Sequence, residues 1–192
     1  MFNRILIIAV LLIATIGYSI YSKKSFESKL VKDEAQSLIL KSLPKTQFTT
    51  LENEVVDLHK YMEDEKVELL AIHFWGTWCG PCEAELPELL HLINRFANRP
   101  TVHFLLVAVN DEAIKVKKHL KSLGLPKNVS LHWLMDNQNV HRDIFGTTRV
   151  PETFVFSSDK TTLRKFVGPQ EWNKTMFFQL FDEFAQASDH KM

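Results

Sequence analysis

The stretch FWGTWCGPCEAELPEL, Phe74 to Leu89, contains both cysteines of this 192-residue chain, Cys79 and Cys82. Two thiols separated by two residues close a loop too small to constrain the unfolded chain usefully, because the entropic gain grows with loop length. A structural staple is therefore excluded. A four-cysteine zinc site lacks its second pair, and none of the eight histidines falls in a His-x3-5-His spacing that would complete a mixed site. Two readings remain at this point: a pair that is oxidised and reduced, or a soft dithiolate that carries Cu(I).

The surroundings give the motif a structural address. Upstream, Val67 to Trp75 reads VELLAIHFW, an apolar run of strand length, as expected for a strand covered on both faces. Downstream, Pro81 to Ala97 has helical spacing, with Leu86, Leu89, Leu90, Ile93 and Phe96 on one side and Pro81 in the first turn, where its missing N–H costs nothing. Val102 to Val109 is a second buried strand. Asp111 can cap the next helix, whose apolar residues Ile114, Leu120 and Leu123 precede the stop signals Gly124 and Pro126. Strand, helix, strand, helix in this order predicts parallel pairing through right-handed crossovers. Leu131 to Met135 is a third strand and Asn137 to Phe145 a short helix; Glu152 to Phe156 and Thr162 to Val167 form an antiparallel hairpin. A final helix spans Gln170 to Ala187, and its stripe of Trp172, Met176, Phe177, Leu180, Phe181 and Phe184 is core packing. Before the motif, Gln47 to Thr50 and Glu54 to Leu58 make a short hairpin.

At the N-terminus, Ile5 to Tyr21 is an almost unbroken apolar run flanked by Arg4 and by Lys23 and Lys24. At about 17 residues it is short for a spanning helix and long for a leader core. Gly17-Tyr18-Ser19 is the only small-x-small triplet placed for cleavage, but bulky Ile20 and Tyr21 follow it, so residues 1–22 are expected to stay as a membrane anchor. No cysteine follows to carry a lipid. Residues 23–43, polar and rich in Lys, Glu and Ser, read as a tether, and residues 44–188 as one domain. Counting flanking Lys and Arg favours a cytoplasmic domain, although long domains are translocated in spite of such charge. The formal net charge is zero, with no basic stripe and no acidic tail, which excludes a nucleic-acid partner.

Cys79 stands where the strand gives way to the helix, so its sulfur lies beside unpaired N–H groups at the electropositive helix end. Lowering a thiol pKa from about 8.5 to about 7 raises the ionised fraction at neutral pH from a few per cent to about half, for roughly 2 kcal/mol. The Cys79 thiolate would attack a disulfide, and Cys82, three residues on, would then attack Cys79 and release the reduced substrate.

FWGTWCGPC resembles the active site of the thioredoxin superfamily, and WCGPCEAELPEL followed by VPETFVF (Val150 to Phe156) resembles its membrane-anchored TlpA/ResA-like and CcmG/DsbE-like branch. The likeness covers roughly Pro44 to Phe184. It implies an α/β thioredoxin-like fold, a central mixed sheet flanked by helices, with an N-terminal hairpin and a strand-helix insertion around Leu131 to Phe145. It also implies catalytic roles for Cys79, Cys82 and Glu85, and a substrate-binding surface of Trp78, Gly80, Pro81, Val150 and Pro151, with no metal and no cofactor. Val150-Pro151 matches the cis-proline loop that faces the dithiol in the family. Glu85, one turn beyond Cys82, matches an acidic residue that exchanges a proton with the second thiol, whereas Glu83 reads as surface charge. Pro87 matches a helix kink. His73 departs from the aspartate of cytoplasmic thioredoxins and reads as a core imidazole satisfied by a hydrogen bond, with a second proton relay as the alternative. The glycan triplets at Asn128 and Asn173 are of a kind common by chance.

The resemblance implies a dithiol reductant facing the periplasm or another extracytoplasmic space from the inner membrane. Its client would be an oxidised protein such as the Cys-x-x-Cys-His segment of apocytochrome c, and PETF leans toward the CcmG-like group. A transmembrane thiol donor of the DsbD/CcdA kind would recharge it. Gly80-Pro81 between the cysteines resembles thioredoxin, whose potential of about −270 mV marks a reductant. No lone peroxidatic cysteine is visible.

Overall fold

The structure is a computed structural model that describes residues 40–189; the expected anchor and the expected tether as far as residue 39 lie outside the described residues. Among the described residues seven strands, β1 (Gln47–Thr50), β2 (Val55–Asp57), β3 (Leu69–Trp75), β4 (Val102–Val109), β5 (Ser130–Asp136), β6 (Glu152–Ser157) and β7 (Thr162–Val167), form one sheet in the order β2-β1-β5-β4-β3-β6-β7. The expected parallel pairing holds for β3 with β4 and β4 with β5, and the other neighbours are antiparallel. The insertion strand β5 thus enters between the N-terminal hairpin and the parallel centre, and the fold is thioredoxin-like.

Among the described residues, five helices cover the sheet: α1 (Leu58–Asp64), α2 (Gly80–Asn94), α3 (Ala113–Leu120), α4 (Val140–Asp143) and α5 (Thr175–Asp189). Strand alternation sorts the core into two layers. Ala71, Trp75, Phe104 and Leu106 pack against Leu86 and Leu89 of α2, Val116 of α3, and Phe177 and Phe181 of α5. On the opposite face, Ile72, Phe74, Leu105 and Val107 meet Leu58 and Met62 of α1, and Val140 of α4. Every residue of β3 is buried, which is why its sequence runs apolar instead of alternating. Position 73 falls on the α2 face, beneath the motif. Among the described residues no helix is long and apolar enough to cross a membrane.

Several elements differ from the expectations, two of them where an aspartate captures backbone N–H groups. The second hairpin strand ends at Asp57, whose carboxylate accepts the Lys60 N–H at 2.9 Å and starts α1, a helix the sequence reading left out. Its signal was the buried i, i+4 pair Leu58 and Met62. Asp111 does not cap α3. Glu112 is the N-cap there and makes no side-chain cap bond, and the helix buries Val116 while Ile114 faces solvent. Residues 137–139 stay outside α4, because the Asp136 carboxylate collects the N–H groups of Gln138, Val140 and His141. α5 starts at Thr175 instead of Gln170, leaving Trp172 buried in an irregular segment and Met176 exposed. Upstream of Pro44 the chain already belongs to the domain: Leu43 is buried and its N–H donates to the Lys160 carbonyl at 2.7 Å.

Candidate active site

The loop from β3 to α2 is held from below before it reaches the cysteines. The Asp111 carboxylate, just beyond β4, accepts the Thr77 N–H at 2.7 Å and the Thr77 hydroxyl at 3.1 Å. The Trp78 indole N–H donates to the Val109 carbonyl at 3.0 Å. That bond lays the ring across Gly76, where a Cβ would come within 2.6 Å of Trp78 Nε1, so glycine is required by close approach. Trp78 remains 57% exposed and offers an apolar face beside the motif. At Gly80, by contrast, a Cβ would meet nothing within 4 Å, and space alone does not demand glycine there.

Cys79 is the N-cap of α2, with Pro81 in the first turn. The two cysteines are joined as a disulfide, and Cys79 Sγ accepts the Cys82 N–H at 3.2 Å. This bond is the local field the sequence predicted: an orphan helix N–H aimed at the outer sulfur. Both sulfur-bearing residues are buried, Cys79 at 5% exposure and Cys82 deeper at 1%. The Val150–Pro151 peptide is cis, and the Val150 carbonyl oxygen lies 3.7 Å from Cys79 Sγ. Two segments 71 residues apart in sequence therefore meet at the sulfur.

Glu85, one turn after Cys82, is buried at 4% exposure on the sheet side of α2. Its Oε2 accepts the Gln170 N–H at 2.7 Å and the Trp172 indole N–H at 3.0 Å. Burial outweighs the two hydrogen bonds and pushes the Glu85 pKa up to about 7, with Glu88 adding to the rise. His73, on β3, places Nε2 3.6 Å from Glu85 Oε1, and its Nδ1 lies 2.8 Å from the Thr153 hydroxyl. Burial lowers the imidazole to about 3, so the two groups face each other as carboxyl and neutral ring and not as an ion pair. Glu83 behaves as surface charge, with its side chain 46% exposed.

The described residues 40–179 match the Redoxin family profile. The chain belongs to the Redoxin family. Among relatives of this redoxin, the thiol-disulfide oxidoreductase ResA of Bacillus thuringiensis (strain Al Hakam) is 26% identical over 171 residues, 88% of this chain and 90% of that protein. A thiol:disulfide interchange protein of the thioredoxin family from Chlorobium tepidum TLS superposes with a TM-score of 0.57 at 22% identity, over 77% of this chain and 95% of that one. A secreted Mycobacterium tuberculosis disulfide oxidoreductase homologous to E. coli DsbE gives a TM-score of 0.53 at 19% identity, over 74% and 96%. At these identities the two structures speak for the fold alone.

The redoxin site brings together the residues expected for it: Trp78, Cys79, Gly80, Pro81 and Cys82 in one turn, Val150 and Pro151 across from them, and Glu85 beneath. The sequence did not reveal Asp111, Gln170 or Trp172 as supports, or Thr153 as the partner of His73. No short motif carries them, because each reaches the site through sheet register or a loop contact. Among the described residues, no three His, Cys, Asp or Glu side chains gather where they could hold a metal ion.

Proposed function

We propose that this protein is a thiol-disulfide oxidoreductase that works as a dithiol reductant of protein disulfides. The observation that carries the reading is the Cys79–Cys82 disulfide at the electropositive end of α2, with its outer sulfur against the Val150 carbonyl and its inner sulfur one turn from a buried carboxyl. Starting from the dithiol, the Cys79 thiolate attacks one sulfur of a client disulfide. The Cys79–client bond forms, the client S–S bond breaks, and the departing client sulfur leaves as a thiolate that takes up a proton. Cys82 passes its proton to the Glu85 carboxylate and attacks Cys79 Sγ. The intramolecular disulfide closes and the second client sulfur departs. Two electrons pass to the client, and the protein ends in the oxidised form seen here.

The fine assignment follows the family resemblance. The domain is taken to sit outside the cytoplasm, anchored by residues 1–22 through the tether 23–43, with apocytochrome c as client in cytochrome c maturation and a transmembrane dithiol protein of the DsbD/CcdA kind as electron donor. A tether raises the effective concentration of membrane-bound clients, which suits that work. No observation favours copper delivery over this reading.

Equilibration of the full chain against glutathione or dithiothreitol buffers, read by thiol alkylation, tests the direction of electron flow. A potential at or below about −250 mV is the expected result, and one near the about −120 mV of an oxidant such as DsbA would overturn the reductant assignment. For placement, alkaline phosphatase fused after Met192 is expected to be active. An inactive fusion alongside an active cytoplasmic reporter at the same position would overturn it.

A further inference from the structure

Two buried polar atoms at the site have no hydrogen-bond partner among the described residues, His73 Nε2 and Glu85 Oε1, and they point at each other across 3.6 Å. Both side chains are almost sealed from solvent, at 2% and 3%. An orphaned buried polar atom is costly, and two that face each other are each other's only compensation. The proton between them can belong to the ring, to the carboxyl, or to neither, and the hydrogen-bond inventory decides which.

His73 and Thr153 are directly opposed partners in the antiparallel β3–β6 ladder, so sheet register fixes the contact between Nδ1 and the hydroxyl. That contact is the side-chain hydrogen bond of the Thr153 hydroxyl among the described residues. A buried O–H left without an acceptor costs more than an unused lone pair, so Thr153 donates and Nδ1 accepts. A neutral imidazole that accepts at Nδ1 carries its proton on Nε2. We infer that His73 is a positioning residue for Glu85, a fixed neutral donor whose Nε2–H faces Oε1 and favours the carboxylate form that takes the Cys82 proton.

In this arrangement Glu85 sits within three N–H groups: Gln170 N and Trp172 Nε1 on Oε2, and His73 Nε2 on Oε1. At 3.6 Å the last is an electrostatic contact short of a full hydrogen bond. Among the described residues Glu88, on the same helix, is the one charged group that acts on the carboxyl, Cys82 precedes it by one turn, and the uncharged Thr153 hydroxyl from β6 contacts the other nitrogen of the His73 ring. His73 is then neither a bystander in the core nor a second carrier of the proton. Its neutrality keeps a second charge out of the core while its N–H offsets part of the burial that opposes Glu85 ionisation.

The inference rests on Glu85 as the proton-exchange group, and its test reads Glu85 and His73 directly, so it can fail while the proposed activity stands. In the full chain labelled with 15N-histidine, the His73 ring nitrogens are expected to show the Nε2–H tautomer between pH 5 and 8; the Nδ1–H tautomer would overturn the inference without any variant. With 13C-glutamate, the Glu85 carboxyl signal, identified by its loss in Glu85→Gln, is titrated in wild type and two variants. His73→Leu is expected to make Glu85 about tenfold weaker as an acid, and His73→Gln, which keeps an N–H, to recover most of that loss. An unchanged midpoint in His73→Leu would overturn the donor role. A midpoint that falls would mean that Nε2 had been accepting the carboxyl proton, and would overturn it equally.

Discussion

Cys82→Ser is expected to accumulate mixed disulfides between Cys79 and client proteins, while Cys79→Ser accumulates none and loses disulfide reduction by more than about 10³-fold. The asymmetry follows from position. Cys79 caps α2, receives the Cys82 N–H, and borders the Val150 loop where a client strand would lie. Cys82 is the more deeply buried, one turn along α2, and in the proposed order it attacks the bond that Cys79 has made. Non-reducing electrophoresis of acid-quenched cells, with each variant captured through an affinity tag, checks the outcome. Equal trapping by both variants would sink the order of attack, and trapping by Cys79→Ser alone would reverse it.

Glu85→Gln is expected to stabilise the protein at pH 8 while impairing its chemistry. The Glu85 pKa is raised in the fold to about 7 from the ordinary 4.5. Between those values the folded chain holds a proton that the unfolded chain has released, so wild-type stability falls as pH rises from 4.5 to 7 and the loss persists above 7. His73 acts in the opposite sense, since its pKa is depressed from 6.5 to about 3 and stability rises through that window. The variant keeps His73, so that contribution cancels in the comparison. Glutamine retains an acceptor for Gln170 N–H and Trp172 Nε1–H but never ionises. Its advantage over wild type should therefore grow by on the order of 2 to 3 kcal/mol between pH 4.5 and 8. Urea unfolding of the oxidised protein at several pH values measures it, and a pH-independent difference would refute the buried-carboxyl account. In the same variant, resolution of the mixed disulfide should slow by about 10²-fold for want of a proton acceptor.

These expectations were legible in the sequence to unequal degrees. Cys-Gly-Pro-Cys after a largely apolar run announces a thiol pair at a strand-helix junction, because the nucleophile, the helix cap and the first-turn proline are contiguous. The place of Glu85 one turn beyond Cys82 was legible for the same reason, wherever that helix packs, while its role was implied only by the family resemblance. Asp111 was misread as a helix cap because it stands before an amphipathic segment. Only its closeness to Thr77 in space reveals a clamp on the active-site loop. The supports at Gln170 and Trp172 were invisible too, since nothing local tells a backbone N–H and an indole N–H that a carboxyl 85 and 87 residues earlier will accept them.

By itself the sequence determined the layered strand-helix order, the pair of sulfurs that exchange electrons and the turn that separates them from their carboxyl, since periodicity and near-neighbour spacing act along the chain. The tertiary structure alone decided what surrounds that carboxyl: the register of β3 on β6 seats Thr153 beside His73, and burial under α2 sets both ionisation states. Desolvation and long-range hydrogen bonds depend on which atoms share a volume, and that is established only when the sheet closes beneath the helix.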